Sequence, residues 1–133
     1  MLPVFDPGTR VHAGELNLIT KDRQTGKAQP WPPISALLWE EDGRTYVHGL
    51  DLDLLAEGET EEQAIRNLVD VIVEQTLLAS RENTQLYHPA PSEYWEKFFE
   101  IRRNCFTQAF LNSPPRARND VTFKFKEPLV AHA

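Results

Sequence analysis

The segment that starts at Thr60 constrains the fold more than any other part of the chain. Thr60 is a favourable N-cap residue, Gln63 follows three positions later as in a capping box, and Glu61 and Glu62 lie where the helix dipole favours negative charge. Apolar residues then recur at helical spacing, at Ala64, Ile65, Leu68, Val69, Ile72 and Leu78, with Val71, Val73 and Leu77 widening the stripe. This pattern predicts an amphipathic helix that ends between Ser80 and Asn83.

Three runs before this helix predict the sheet on which it packs. Residues 34–40 form an apolar run, residues 41–44 contain an Asp-Gly turn, and residues 44–48 return as a second strand. A third strand is predicted over residues 52–57. There the leucines at 50, 52 and 54 alternate with Asp51 and Asp53, which predicts leucines inside and carboxylates outside.

The flanking segments predict smaller elements. Residues 1–33 are rich in turn formers, with a short strand at 15–20 that places Leu16 and Leu18 on one face. Residues 30–33 should be extended, with Trp31 covering an apolar face. A second helix is predicted from Ser92, with an aromatic face, and residues 121–126 alternate as a last strand after Pro114 and Pro115. The aromatic face of the second helix comprises Trp95, Phe98, Phe99 and Ile101.

These elements predict an α+β fold: a small antiparallel sheet of three or four strands packed on one main helix, with a second, aromatic helix. The length of 133 residues fits one domain, which we place over 1–133 with an N-terminal extension and a core at 34–82. A single cysteine excludes an internal disulfide and favours a reducing compartment. With no apparent secretory signal or apolar run long enough to span a membrane, we expect a cytoplasmic protein.

The formal net charge of −6 disfavours nucleic acid as a partner and suits a basic protein better. A basic group near the C-terminus runs against this average, and we interpret it as a solvated tail. It comprises Arg116, Arg118, Lys124 and Lys126.

Four residues have side chains that could bind a metal or take part in catalysis. Asp51 and Asp53 offer oxygen ligands to a divalent metal, but a solvated face is the favoured interpretation, because spacing does not show that other acids converge on them. His48 is interpreted as a hydrogen-bonded structural histidine, with a general base as the alternative. Cys105 is predicted to be buried, because no partner for nucleophilic catalysis is evident. No cofactor or metal is predicted.

Residues 34–78 resemble the HicB-like antitoxins. The resemblance lies in Tyr-Val-His-Gly-Leu-Asp-Leu-Asp at 46–53 and in the turn and helix start at 56–68, where Gly58, Thr60 and Glu62 match the Gly-x-Thr turn and the acidic cap. The family implies a partial ribonuclease-H-like sheet without catalysis, and binding of a small basic ribonuclease toxin. Many members also carry a C-terminal DNA-binding module. No such module is evident here, which argues against DNA-binding autoregulation.

The leading hypothesis is therefore a protein-binding module, either a HicB-like antitoxin or a relative, and not an enzyme. Its predicted partner surface is the acidic face formed by Asp51, Asp53, Glu57 and Glu59. A sheet edge offers a second contact and a route to a homo-oligomer. The alternatives are a metal-dependent nuclease-like enzyme on the same sheet, and a stand-alone oligomeric structural protein.

Overall fold

The computed structural model describes residues 5–21, 24–112, 122–124 and 129–132, with side chains as far as Thr107. The strands and helices, in chain order, are β1 (Val11–Leu16), β2 (Leu18–Lys21), β3 (Ala28–Pro30), β4 (Ile34–Glu41), β5 (Arg44–Gly49), β6 (Leu54–Gly58), α1 (Glu61–Glu82), α2 (Ser92–Asn112), β7 (Thr122–Lys124) and β8 (Leu129–His132). The prediction of an α+β fold is confirmed. Within the described residues, neither helix is long and apolar enough to cross a membrane.

The main sheet has the strand order β6-β5-β4-β1-β7. Its first four strands are antiparallel, as predicted, whereas β7 joins the far side parallel to β1. A second sheet has the order β3-β2-β8. The sequence did not predict this second sheet, because its strands are three or four residues long and carry little periodic signal.

The β4–β5 hairpin confirms the predicted turn. Glu41 pairs with Arg44, so the turn has only two residues between the strands. Asp42 and Gly43 have φ of 52° and 77°, which is the left-handed backbone that a tight hairpin turn requires at both positions. Asp-Gly therefore fixes the register of the whole hairpin.

The main sheet is buried on both faces. On the α1 face, Leu38 of β4 and Val47 of β5 pack in one cluster with Ile65 and Leu68 of α1. On the opposite face, here called the α2 face, Leu37 and Trp39 pack in a second cluster with the α2 residues Phe98 and Ile101. Alternate residues of β4 therefore serve two cores, which explains why this strand reads as a continuous apolar run.

Helix α1 begins and ends as predicted. The Gln63 backbone N–H donates to Thr60 Oγ1 at 3.1 Å, and the Gln63 side chain accepts from the Glu59 backbone N–H at 2.6 Å. Asn83 ends the helix in the left-handed conformation with φ of 55°. A Cβ atom on Gly58 would lie 2.6 Å from the Ala64 backbone nitrogen, so the junction between β6 and α1 requires glycine.

The apolar stripe of α1 is longer than its buried part. Leu68 and Ile72 are buried, but Leu77 and Leu78 are exposed, so the prediction that Leu78 belongs to the packed stripe is wrong. The physical reason is length. A helix of 22 residues is roughly 33 Å long, whereas the five residues of β6 span roughly 17 Å.

The N-terminal strand was predicted with the wrong bounds. Residues 15–20 do not form one strand, because the chain changes sheet at Asn17: β1 pairs with β4, and β2 pairs with β3. Leu16 and Leu18 are nevertheless both buried in the α1-face cluster. Trp31 packs against the same cluster, as predicted, and its Nε1–H donates to Thr20 Oγ1 at 3.3 Å.

The third predicted strand starts later than expected. Residues 50–53 form a turn, and β6 begins at Leu54. The alternation of leucines is therefore not that of a strand: Leu50 packs on the α2 face, whereas Leu52 and Leu54 pack against the α1-face cluster. Asp53 has φ of 51°, and this left-handed residue breaks the extended backbone that the pattern predicted.

Helix α2 begins at Ser92, as predicted, but its aromatic residues divide between core and surface. Phe98 and Ile101 are buried, whereas Phe99 is 54% exposed and Phe106 is 76% exposed. Arg102 ties the helix to β1, because its Nη1–H donates to Glu15 Oε1 at 3.1 Å. The sequence did not separate these roles because all the aromatics lie near one helical stripe.

The last predicted strand is present over Thr122–Lys124. The rest of that prediction, and most of the basic C-terminal group, falls outside the described residues. Those positions are Pro114, Pro115, Arg116, Arg118, Val121, Phe125 and Lys126.

Candidate functional site

A cleft of about 500 Å³ opens on the α2 face of the main sheet, near the β5–β6 edge. Trp39 and His48 form its buried floor, and Phe5, Pro91 and Tyr94 form its walls. Leu55 of β6 also lines the cleft and is 55% exposed. The cleft therefore lies where the N-terminal segment, the sheet and the start of α2 meet.

The walls and floor of the cleft are aromatic. The Phe5 ring meets Trp39 edge-on with a centroid distance of 4.8 Å, and it also meets Tyr94 edge-on at 6.5 Å. On the sheet, Tyr46 stacks on Trp39 with a centroid distance of 5.6 Å and an interplanar angle of 13°. These contacts hold the segment around Phe5 against a rigid part of the sheet, because each ring is braced by another.

His48 joins three elements at the bottom of the cleft. Its Nε2 lies 2.7 Å from Asp53 Oδ1, and its ring packs edge-on against Tyr94 of α2 at 4.8 Å. The left-handed backbone at Asp53 brings the carboxylate back to the histidine of the preceding strand. The prediction of a hydrogen-bonded structural histidine agrees with this geometry.

Asp51 holds together the turn that precedes β6. Its Oδ1 accepts from the Ser35 backbone N–H at 2.7 Å, and its carbonyl accepts from the His88 backbone N–H at 3.1 Å. Its neighbour Leu50 donates its N–H to the Ser35 carbonyl and accepts from the Ala90 N–H. Asp51 is half-buried and not on an outward strand position, so its predicted orientation is wrong and its carboxylate serves the fold.

Three carboxylates line the cleft: Asp6, Glu41 and Asp53. Asp53 is engaged by His48, but within the described part of the chain Asp6 and Glu41 have no ion-pair partner within 4.0 Å. Lysine and arginine are absent from the described lining of the cleft. Among the described residues, the site therefore combines apolar walls with two carboxylates that have no ion-pair partner.

Glu57 lies on the same sheet face, beyond Leu55 on β6. It pairs across the strands with Tyr46, and its Oε2 lies 3.5 Å from Arg44 Nε. The pKa of Tyr46 is raised above its ordinary value, first by burial of the phenol, and then by the negative charge of Glu57 and the hydrogen bond that the phenol donates to it. Glu57 thus favours the protonated phenol of Tyr46 and is itself paired with Arg44 beyond the cleft.

The predicted acidic face is only partly assembled. Asp53 and Glu57 lie on the α2 face, Asp51 is held in the turn, and Glu59 is exposed at the residue before the N-cap of α1. Sequence reasoning missed Asp6, Phe5 and Tyr94, since only tertiary packing brings the N-terminal segment to α2. The alternation of Leu37, Trp39 and Glu41 along β4 was a signal that could have found Glu41.

The other candidate groups, for metal binding and for nucleophilic catalysis, do not come together among the described residues. No group of three or more His, Cys, Asp or Glu side chains there is placed to hold a metal ion. Cys105 of α2 is buried, as predicted, and does not line the cleft.

Comparisons of this chain with protein-family models, with curated proteins and with solved structures find no match.

Proposed function

We propose that this chain is a binding module for a small basic protein, and that it acts in the manner of the HicB-like antitoxins that residues 34–78 resemble. The proposed partner surface is the acidic α2 face around the cleft and β6, with Asp53, Leu55 and Glu57 at its centre. Cytoplasm is the compartment that we propose, in line with the single cysteine.

The observation that carries this proposal is the joint presence of exposed apolar surface and unpaired negative charge on one sheet face. Leu55 projects from β6, and Asp6 and Glu41 line the same cleft without a cationic side chain within 4.0 Å among the described residues. Charge of one sign around an apolar centre speeds association with an oppositely charged protein and selects against wrong partners. Apolar burial then supplies the affinity.

Binding is favoured over catalysis because the carboxylates nearest the cleft floor are already engaged. Asp51 accepts a backbone hydrogen bond from Ser35, and Asp53 is paired with His48. A nuclease-like site requires several carboxylates that converge on a metal ion, and the described residues hold no such group. No observation therefore favours the nuclease-like alternative.

The free edge of the main sheet bears on the proposed homo-oligomer. Among the described strands, β6 has β5 as its neighbour on one side only. On the other side, the Asn67 side chain of α1 donates to the Glu57 carbonyl at 2.7 Å and so occupies one edge acceptor. An oligomer built through this edge would have to displace the contact between Asn67 and Glu57. Sedimentation of an Asn67→Ala variant, which lacks that contact, tests whether copies of the chain associate through this edge.

Affinity capture of the tagged full-length chain from its native host tests the proposal. We expect one stoichiometric partner, identified by mass spectrometry, with a basic isoelectric point and with release as salt is raised. A small basic reading frame beside the gene, whose product inhibits growth unless this chain is co-expressed, would establish the antitoxin role. Capture of no stoichiometric basic protein would contradict the proposal.

Two charge-reversal variants test whether capture depends on the α2 face. Glu57→Lys and Glu74→Lys each change the net charge from −6 to −4, but Glu57 lies on the α2 face and Glu74 is exposed on α1. We expect Glu57→Lys to weaken capture about tenfold and Glu74→Lys to leave it near the wild-type level, because a surface charge acts mainly on its own side of the protein. Equal loss in both variants would show that only net charge matters.

A further inference from the structure

The cleft on the α2 face differs from the rest of the acidic surface in being recessed as well as negative. Its volume of about 500 Å³ is bounded by the rings of Phe5, Trp39 and Tyr94, and its carboxylates stand at Asp6, Glu41 and Asp53. That volume is within the range of pockets that hold a small-molecule ligand. A broad charge-to-charge contact would not need such a recess.

We infer that the cleft receives one arginine side chain of the basic partner. This inference rests on the proposed function and adds the group that is recognised. The guanidinium is planar, weakly hydrated and always charged, so it stacks on aromatic rings while its N–H groups donate to carboxylates. Tyr94 offers a half-buried ring in the wall of the cleft, and the carboxylates of Glu41 and Asp6 offer acceptors that no described residue uses.

Charge complementarity also decides against a second copy of this chain as the occupant. The chain carries a net charge of −6, and three of its carboxylates line the cleft. A copy that presented its own surface to this recess would bring like charges together, which is unfavourable. A basic protein meets the opposite condition, since its arginine replaces the missing counter-charge.

The test is an NMR titration of the full-length chain with acetyl-Gly-Arg-Gly-amide. Its control is the same tripeptide with citrulline, which keeps the shape of arginine and removes the charge. We expect the arginine tripeptide to shift the resonances of Trp39, His48 and Tyr94 with weak, saturable affinity, and the citrulline tripeptide to bind at least about fivefold more weakly.

Neighbouring residues of β4 provide a matched pair of variants. Glu41 lines the cleft, whereas Glu40 is exposed and points to the opposite face of the sheet. Glu41→Gln and Glu40→Gln remove the same charge, so a specific site predicts about a fivefold loss of arginine binding in the first and no loss in the second.

The outcome separates this inference from the proposed function. Shifts that are absent, that are equal for citrulline, or that weaken equally in both variants would overturn the arginine cleft, even if a basic protein is still captured. Capture that yields no basic protein would overturn the proposed function, whatever the tripeptide does.

Discussion

At the scale of single residues, Asp51 and Asp53 show that neighbouring acids can have different duties. Asp51 accepts from the Ser35 backbone inside a turn, whereas Asp53 holds His48 at the edge of the cleft. The sequence presents them as an equivalent pair in an alternating run. The difference arises because Asp53 has a left-handed backbone, which interrupts the extended run before β6.

Removal of the Asp51 carboxylate should therefore cost stability. We expect Asp51→Ala to lower the free energy of unfolding by about 1–2 kcal/mol, because the Ser35 N–H loses its acceptor in a part-buried position. Asp51→Asn keeps an acceptor oxygen and should lose less. Urea unfolding measures both variants, and an Asp51→Ala variant within about 0.5 kcal/mol of the wild type would contradict this role.

Tyr46 should make the stability of the protein depend on pH in the alkaline range. Its pKa is raised above the ordinary value of 10.0 by burial, by the charge of Glu57 and by the hydrogen bond to Glu57. The folded state therefore holds the phenolic proton at pH values where the unfolded chain has lost it. The stabilisation is complete below pH 10 and is lost as the pH rises through the folded-state pKa.

A Tyr46→Phe variant tests this linkage. Between about pH 9 and about pH 11, we expect the unfolding free energy of the wild type to fall more steeply than that of the variant. Glu57→Gln should show a slope between the two, since it removes the charge and leaves the burial. Parallel pH profiles for all three proteins would contradict the raised pKa.

At the scale of elements, α1 is the best-defined piece of the fold. Its N-cap, its first-turn acids and its left-handed C-cap agree with one another, and Gly58 fits the approach of the Ala64 backbone. Consistency at each of these local positions is what makes the start and end of a helix readable from sequence. The apolar stripe is less reliable, because burial depends on how far the sheet extends under the helix.

Leu68 and Leu78 allow the buried and the exposed part of the apolar stripe to be compared within one helix. We expect Leu68→Ala to lower the unfolding free energy by about 2–5 kcal/mol, since Leu68 is fully buried in the α1-face cluster. Leu78→Ala should cost within about 0.5 kcal/mol, because that side chain is exposed. Thermal or urea unfolding decides the matter, and similar losses in both variants would mean that the end of α1 is covered.

The elements that could be predicted from sequence are those fixed by local chemistry. The Asp-Gly hairpin, the Thr60 cap and the start of α2 depend on residues a few positions apart. The change of sheet at Asn17 and the approach of Phe5 to Tyr94 depend on contacts between distant parts of the chain. For this reason the sequence predicted individual acidic residues, but it did not predict the cleft that Glu41 and Asp53 both line.

At the scale of the whole molecule, the two sheet faces have separate tasks. The α1 face is closed by α1 and supplies the principal core, whereas the α2 face is covered by α2 and Phe5 but leaves the cleft open. Because Tyr94 packs against the second core, contacts His48 of the sheet and also lines the cleft, occupation of the cleft should stiffen the contact between the sheet and α2.

Hydrogen exchange of the chain with and without its captured basic partner tests the central claim most directly. We expect protection to increase in the segments 5–9 and 50–58, which border the cleft and β6, while the exposed end of α1 around Leu77 and Leu78 is unchanged. Protection confined to α1, or to the exposed Phe99 and Phe106 side of α2, would contradict it.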